Sequence, residues 1–214
     1  MRAIARSSTR LPLTAGISTV HGNQTVRKTS INAARTCVFA GLDHVDVVEG
    51  AAAPLVRSAR PCPEIHGDSG LDGTALLPPG DHPAVQARLA RWRGRKAAIV
   101  MAEEILKAPG PVTLVATGAL TNVALALLLY GDELKAKLTR IVIMGGAVGV
   151  GNINPVAEFN ILCDPEAAHV VYEAGSQVVA VTSIPFMPSI RITQPTQSLA
   201  RVGAVRTPSS SHRF

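Results

Sequence analysis

Residues 151–166 read Gly151-Asn152-Ile153-Asn154-Pro155-Val156-Ala157-Glu158-Phe159-Asn160-Ile161-Leu162-Cys163-Asp164-Pro165-Glu166, and what flanks them decides the fold class. Upstream, Ile141-Val142-Ile143-Met144 is a short apolar run stopped by Gly145 and Gly146, the pattern of a strand buried on both faces that ends in a loop. Downstream, Asp164-Pro165-Glu166 opens a helical pattern through Ala167, Ala168, Val170 and Val171, with Asp164 as N-cap and Pro165 as the first helical residue. The polar residues Asn152, Asn154, Glu158 and Asn160 therefore fall in the loop after a strand, where open α/β sheets place their ligand crevice. Two amides and a carboxylate held together suit a vicinal diol, since Glu158 accepts from hydroxyls and each amide both donates and accepts. Sugars are diols of this kind. The alternative is that the same side chains cap helices and satisfy the loop's own backbone.

Outward from this loop the chain alternates strands and helices. Residues 11–20 read as a strand, the turn His21-Gly22-Asn23-Gln24 follows, and residues 24–39 carry helical spacing. Residues 45–49 form a short strand. Residues 61–77 have no regular period and include the Gly-rich, acid-containing His66-Gly67-Asp68-Ser69-Gly70-Leu71-Asp72-Gly73, whose spacing fits no EF-hand. Residues 83–106 are helical with a break near Trp92, and the second half places Ile99, Val100, Ile105 and Leu106 on a core stripe with Glu103 and Glu104 exposed. Residues 112–116 are a strand, Thr117-Gly118-Ala119-Leu120 its loop, and Thr121-Asn122 the start of the next helix; residues 177–183 are a last strand. The expected architecture is an open, mostly parallel sheet flanked by helices. Residues 1–12 are set apart as a basic N-terminal segment, 13–187 as the α/β domain, and 188–214 as a disordered, Ser/Thr/Pro/Arg-rich tail.

Composition narrows the function classes. With 47% apolar and 3% aromatic residues, the core must be aliphatic and alanine-rich. The net charge of +6 invites a nucleic-acid reading, yet three arginines lie in residues 1–10 and four in residues 191–214. The intervening residues hold 21 − 7 = 14 bases against 15 acids, so the basicity is confined to the ends. The bases around Trp92 read as a solvated turn with the indole packed inward. Cys37, Cys62 and Cys163 are an odd number without CxxC spacing, which fits a reducing compartment and gives no zinc or disulfide framework; Cys163 reads as a small buried residue. No apolar run has the length of a membrane span. The Arg- and Ser-rich opening resembles a transit peptide but is short for one, so the expected location is the cytoplasm.

The string G-N-x-N-P-V-A-E-F-N-I-x-x-D-P-E-A-A closely resembles the signature loop of the inosine-uridine-preferring nucleoside hydrolases, which cleave the N-glycosidic bond of ribonucleosides with a bound calcium ion. The resemblance runs from about residue 13 to residue 184, through matches to V-x-G-N, I-H-G-x-x-G-L and T-G-x-L-T-N motifs. It implies a Rossmann-like nucleoside hydrolase fold and substrates such as inosine and uridine. By the same resemblance Asn23, His66, Met144, Asn152, Glu158, Phe159 and Asn160 contact the nucleoside, and the Thr117 carbonyl is a calcium ligand. The resemblance further implies homo-oligomers for full-length relatives.

The departures are as specific. The family's D-x-D-P-G-x-D-D loop, source of calcium carboxylates and of the water-activating aspartate, has no counterpart, for residues 1–12 contain no Asp or Glu. The family's C-terminal His-Asp pair is also missing, since His212 is followed by Arg213. No catalytic residue is identified, and calcium is in doubt for this chain. The expectation is a nucleoside hydrolase shortened at both ends, with impaired turnover, incomplete in its sheet and exposing a strand edge where the first strand belongs. Two other readings stand beside it: a catalytically silent nucleoside- or ribose-binding module, and a nucleic-acid-associated protein using its basic ends.

Overall fold

In the computed structural model, which describes residues 2–6, 13–72, 74–175, 178–181 and 190–192, the apolar run before the paired glycines is a strand, as its composition requires. The strands are β1 (Arg2–Arg6), β2 (Leu13–Ser18), β3 (Asp46–Val48), β4 (Val112–Ala116), β5 (Leu138–Met144), β6 (Val178–Val181) and β7 (Ile190–Ile192), forming one sheet in the order β3-β2-β1-β4-β5-β6-β7. The helices are α1 (Val26–Phe39), α2 (Pro63–His66), α3 (Pro83–Ala90), α4 (Ala97–Lys107), α5 (Thr121–Lys137, broken at Gly131 with φ 47°), α6 (Phe159–Cys163) and α7 (Pro165–Glu173).

Strands β2 and β3, β4 and β5, and β5 and β6 pair in parallel, while β1 runs antiparallel to both β2 and β4, and β7 antiparallel to β6. Five strands thus share one direction and two oppose it, which is the mostly parallel open sheet expected. From β2 the chain steps outward to β3; from β4 it steps the other way to β5 and β6. The reversal falls between β2 and β4, and the crevice at the carboxyl ends there is where doubly wound sheets bind ligands.

The structure departs from the sequence reading at both ends of the sheet. Against the expectation of a separate segment at residues 1–12 and an open strand edge, Arg2–Arg6 hydrogen-bonds to β2 on one side and β4 on the other, with Ile4 opposite Gly16 and Leu114. Two facing rows of backbone groups in mid-sheet need partners, and an antiparallel strand satisfies them as well as a parallel one. Ile190–Ile192, placed in the tail by composition, forms β7; residues 193–214 lie outside the described residues. Within residues 61–77 a single helical turn, Pro63–His66, appears where no period is visible, opened by Pro63 at its first position.

The core is aliphatic and alanine-rich. Leu114, Ile141 and Ile143 from the sheet pack with Met101, Ile105, Leu120, Val123 and Val171 from the helices. On α4 the buried face is Ala97, Ala98, Val100, Met101, Ala102 and Ile105, while Ile99 and Leu106 are only half-buried. Alanine lets α4 approach its neighbours more closely than the larger residues of the expected stripe would. Glu103 and Glu104 are likewise half-buried rather than exposed, and Glu103 pairs with Arg95 at 2.9 Å. Trp92 packs inward against Val48, Ala97 and Val100 with Arg95 over its ring, as expected. Among the described residues no helix is long and apolar enough to cross a membrane.

The loops at the carboxyl edge are clamped by side chains from the first turn of α5. Asn122, 1% exposed, accepts from Ala51 N (2.9 Å) and donates through Nδ2 to Thr19 O (2.7 Å), joining the loops after β2 and β3 to the helix after β4. Gly50 lies so close that a Cβ there would stand 2.0 Å from Thr19 O and 2.3 Å from Asn122 Nδ2, so no larger residue fits. Replacing Asn122 by Ala leaves a buried carbonyl and a half-buried N–H unpaired and should cost about 3 kcal/mol. Thermal unfolding of Asn122→Ala at the wild-type temperature would contradict the clamp.

Candidate functional site

Glu158 is the centre of the site. It is 3% exposed and serves as N-cap of α6, Oε1 accepting from Asn160 N (3.0 Å) and Oε2 from Ile161 N (3.1 Å) and Gly146 N (3.0 Å). The alternative drawn from the sequence, that these side chains satisfy the loop's own backbone, is therefore part of the truth. A carboxylate has room for about four donors. Three backbone N–H groups leave Oε1 able to accept one more, and a sugar hydroxyl is such a donor. The loop reaches this shape by tight backbone packing: a Cβ on Gly151 would lie 2.3 Å from the carbonyls of Ala157 and Asn154.

Asn160 and Met144 stand with Glu158. Asn160, 5% exposed, donates through Nδ2 to Met144 O (3.0 Å) and toward Met144 Sδ (3.4 Å), which turns its amide to the end of β5. Asn152 Oδ1 accepts from Phe159 N (2.8 Å), and Asn154 Oδ1 accepts from Val156 N and Ala157 N, folding the loop back on itself. Five of the residues singled out by sequence, Met144, Asn152, Glu158, Phe159 and Asn160, are thus gathered at one strand end. Tyr172 lies alongside; burial first, then the Glu158 carboxylate, push its hydroxyl up to about 12, so it stays protonated at neutral pH.

The remaining residues enter from neighbouring loops. Asn23 is exposed in the turn after β2, with its carbonyl accepting from Cys62 N (3.2 Å). A Cβ on the preceding Gly22 would come 4.0 Å from Phe159, which puts that turn against α6. Thr117 is exposed at the end of β4. His66 ends α2, half-buried, and joins the Asn23 turn only indirectly, through Gln24 Nε2 donating to Gly67 O (2.9 Å). Beside them, between the turn after β2, residues 57–64 and α6, opens a cleft of about 580 Å³ lined by His21, Arg57, Arg60, Cys62, Phe159 and Leu162 among others; of the residues expected to contact the nucleoside, Phe159 alone lines it. That size suits a small organic ligand.

Several residues of the site were not singled out by sequence as functional. Asp164 is fully buried and is the N-cap of α7, as expected, accepting from Ala167 N (3.0 Å). It also accepts from Leu55 N (3.0 Å) and from Thr121 Oγ (2.6 Å), contacts more than forty residues away in sequence that no local pattern announces. His21, 2% exposed, contacts Thr121 Oγ through Nε2 at 3.0 Å. The only sequence signal for His21 was its place two residues before Asn23. Cys163, read as buried, is half-buried, and all three cysteines are free.

Comparison with known proteins identifies the family. The profile of the family described as "Inosine-uridine preferring nucleoside hydrolase" matches residues 4–212. A pyrimidine-specific ribonucleoside hydrolase RihA of Shewanella sp. (strain MR-4) is 46% identical over 159 residues, 74% of this chain and 47% of the relative. Among solved structures, a plant nucleoside hydrolase, the PpNRh1 enzyme, superimposes with a TM-score of 0.68 at 31% identity over 80% of this chain and 52% of its own. The purine-preferring ribonucleoside hydrolase from Gardnerella vaginalis does so with a TM-score of 0.69 at 28% identity, over 79% and 52%. The chain spans about half the length of the curated relatives it matches. With the family profile matching most of the chain and a relative 46% identical over 74% of it, the chain belongs to the inosine-uridine preferring nucleoside hydrolase family.

Proposed function

We propose that the chain binds ribonucleosides by their sugar and serves the N-ribohydrolase reaction, in which water replaces the base at the glycosidic carbon to give ribose and free base. The observation that carries this is Glu158, a buried carboxylate aimed into the crevice loop with acceptor capacity left on Oε1 and the Asn160 amide beside it. The relatives are named for pyrimidine-specific and purine-preferring activity, and ribose is what those substrates share. Glycosidic cleavage passes through an oxocarbenium-like sugar. A carboxylate and an amide that grip the hydroxyls hold that sugar in place and favour its positive charge. Three free cysteines suit a reducing compartment, and we place the chain in the cytoplasm.

Calcium, which the family resemblance implies, asks for about six to eight oxygen ligands. All 15 acidic residues of the sequence lie among the described residues, and no group of three or more described His, Cys, Asp or Glu could hold a metal ion. The two buried carboxylates are committed, Glu158 to three backbone N–H groups and Asp164 to Leu55, Thr121 and Ala167. The residues present do not fit calcium. This distribution of carboxylates favours a second reading for the chain by itself, ribose binding without rapid turnover.

Thiol chemistry is not a substitute for the missing acids. Cys163 is pushed up to about 12, by burial first and then by the nearby Glu158, Cys62 and Asp164, and burial raises Cys62 as well. A thiol attacks as its thiolate, so neither is a nucleophile at neutral pH.

Two outcomes follow. Calorimetric titration with uridine and with inosine should show saturable binding that a calcium chelator leaves unchanged and that Glu158→Gln weakens about tenfold, the effect of one lost charge-assisted hydrogen bond. Absence of binding by folded chain sinks the ribose reading, and chelator-sensitive release of ribose sinks the account of the acids. Separately, alkylation of Cys163 in the native chain at pH 8 should run about a thousand times slower than that of an ordinary cysteine, as the thiolate fraction, and rise about tenfold per pH unit. Rapid alkylation at pH 8, followed by mass spectrometry, would contradict the raised value.

A further inference from the structure

We propose that His21 is a positioning residue of the sugar cleft, holding the turn that carries Asn23 through a buried relay to Thr121 and Asp164. The inference deepens the ribose reading and rests on it. Thr121 Oγ, 1% exposed, lies 2.6 Å from Asp164 Oδ2 and 3.0 Å from His21 Nε2. Asp164 receives backbone N–H groups on both oxygens, which suits an ionised carboxylate that only accepts. The single hydroxyl hydrogen of Thr121 therefore goes to Asp164, and at the other contact the threonine oxygen can only accept. His21 must donate there, so Nε2 carries a hydrogen.

The relay fixes more than a ring. His21 N donates to Ala51 O (3.1 Å), so the backbone binds the residue to the loop after β3 and the side chain binds it to the start of α5. Gly22 follows with φ +139°, a conformation that lets the chain swing sharply, and Asn23 is then held by Cys62 N on its carbonyl. The turn is pinned on either side of one pliant glycine. His21 also lines the cleft together with Phe159, next to the turn that carries Asn23. Ordinary packing would explain a buried imidazole, but not an oriented three-membered chain ending on a fully buried carboxylate.

Two variants of the full chain separate positioning from bulk. His21→Gln keeps an N–H donor near the place of Nε2; His21→Leu keeps volume and removes the donor. Nitrogen-15 correlation spectra of the wild-type imidazole should show a hydrogen on Nε2, and a ring with its hydrogen on Nδ1 alone overturns the relay. His21→Leu should shift the Asn23 backbone and side-chain amide signals and weaken uridine binding about tenfold, whereas His21→Gln should leave the shifts in place and bind within about threefold of wild type. Unchanged Asn23 signals in folded His21→Leu overturn the positioning role, as does equal loss of binding in both variants. If the wild type binds no nucleoside at all, the ribose reading fails, and the Asn23 signals alone decide whether His21 holds the turn.

Discussion

Everything at the carboxyl edge of this sheet depends on the rule that a buried polar group must be paired. Loops entering the switch crevice bring backbone N–H and carbonyl groups into an interior with no strand beside them. Two side chains at helix starts supply the partners. Asn122, at the head of α5, takes Ala51 N and Thr19 O; Asp164, at the head of α7, takes Leu55 N, Thr121 Oγ and Ala167 N. Each ties elements separated by dozens of residues. The position of Asn23, and of the cleft between the turn and α6, follows from these few bonds.

The same rule shapes Glu158, with a different result. Its carboxylate is buried and capped by backbone donors, as Asp164 is, but it lies in the loop facing the crevice and Oε1 holds a single donor. The backbone bonds pre-orient an acceptor that a hydroxyl can use, which lowers the ordering cost of binding. The other acids are spread along the chain, and among the described residues no group of three or more His, Cys, Asp or Glu could hold a metal ion.

Much of this was legible in the sequence because it is local. Apolar runs ended by glycine pairs marked strand ends, Asp164-Pro165 marked a helix start, and the signature string marked the site loop. What stayed hidden was long-range or ambiguous. Arg2–Arg6 is arginine-bearing and short, and only the unpaired flanks of β2 and β4 reveal why such a segment enters mid-sheet. The α4 stripe is legible in part: Val100 and Ile105 are buried as expected, but the rest of the buried face is largely alanine, which counts for little in a periodicity yet allows the closest packing. Asp164 read as a cap and is one; its two further donors come from residues 55 and 121, which no window around it contains. His21 was invisible for the same reason, since its partner lies 100 residues on.

The central claim is that loops after β2 and β5 form one sugar-binding surface. Amide chemical-shift mapping during a titration with ribose and with uridine addresses it most directly. The account predicts that both ligands perturb Gly146, Phe159, Asn160 and the Asn23 side chain together, with a common saturation curve. Perturbations confined to the region of Trp92, or none at saturating ligand in a folded chain, would contradict it.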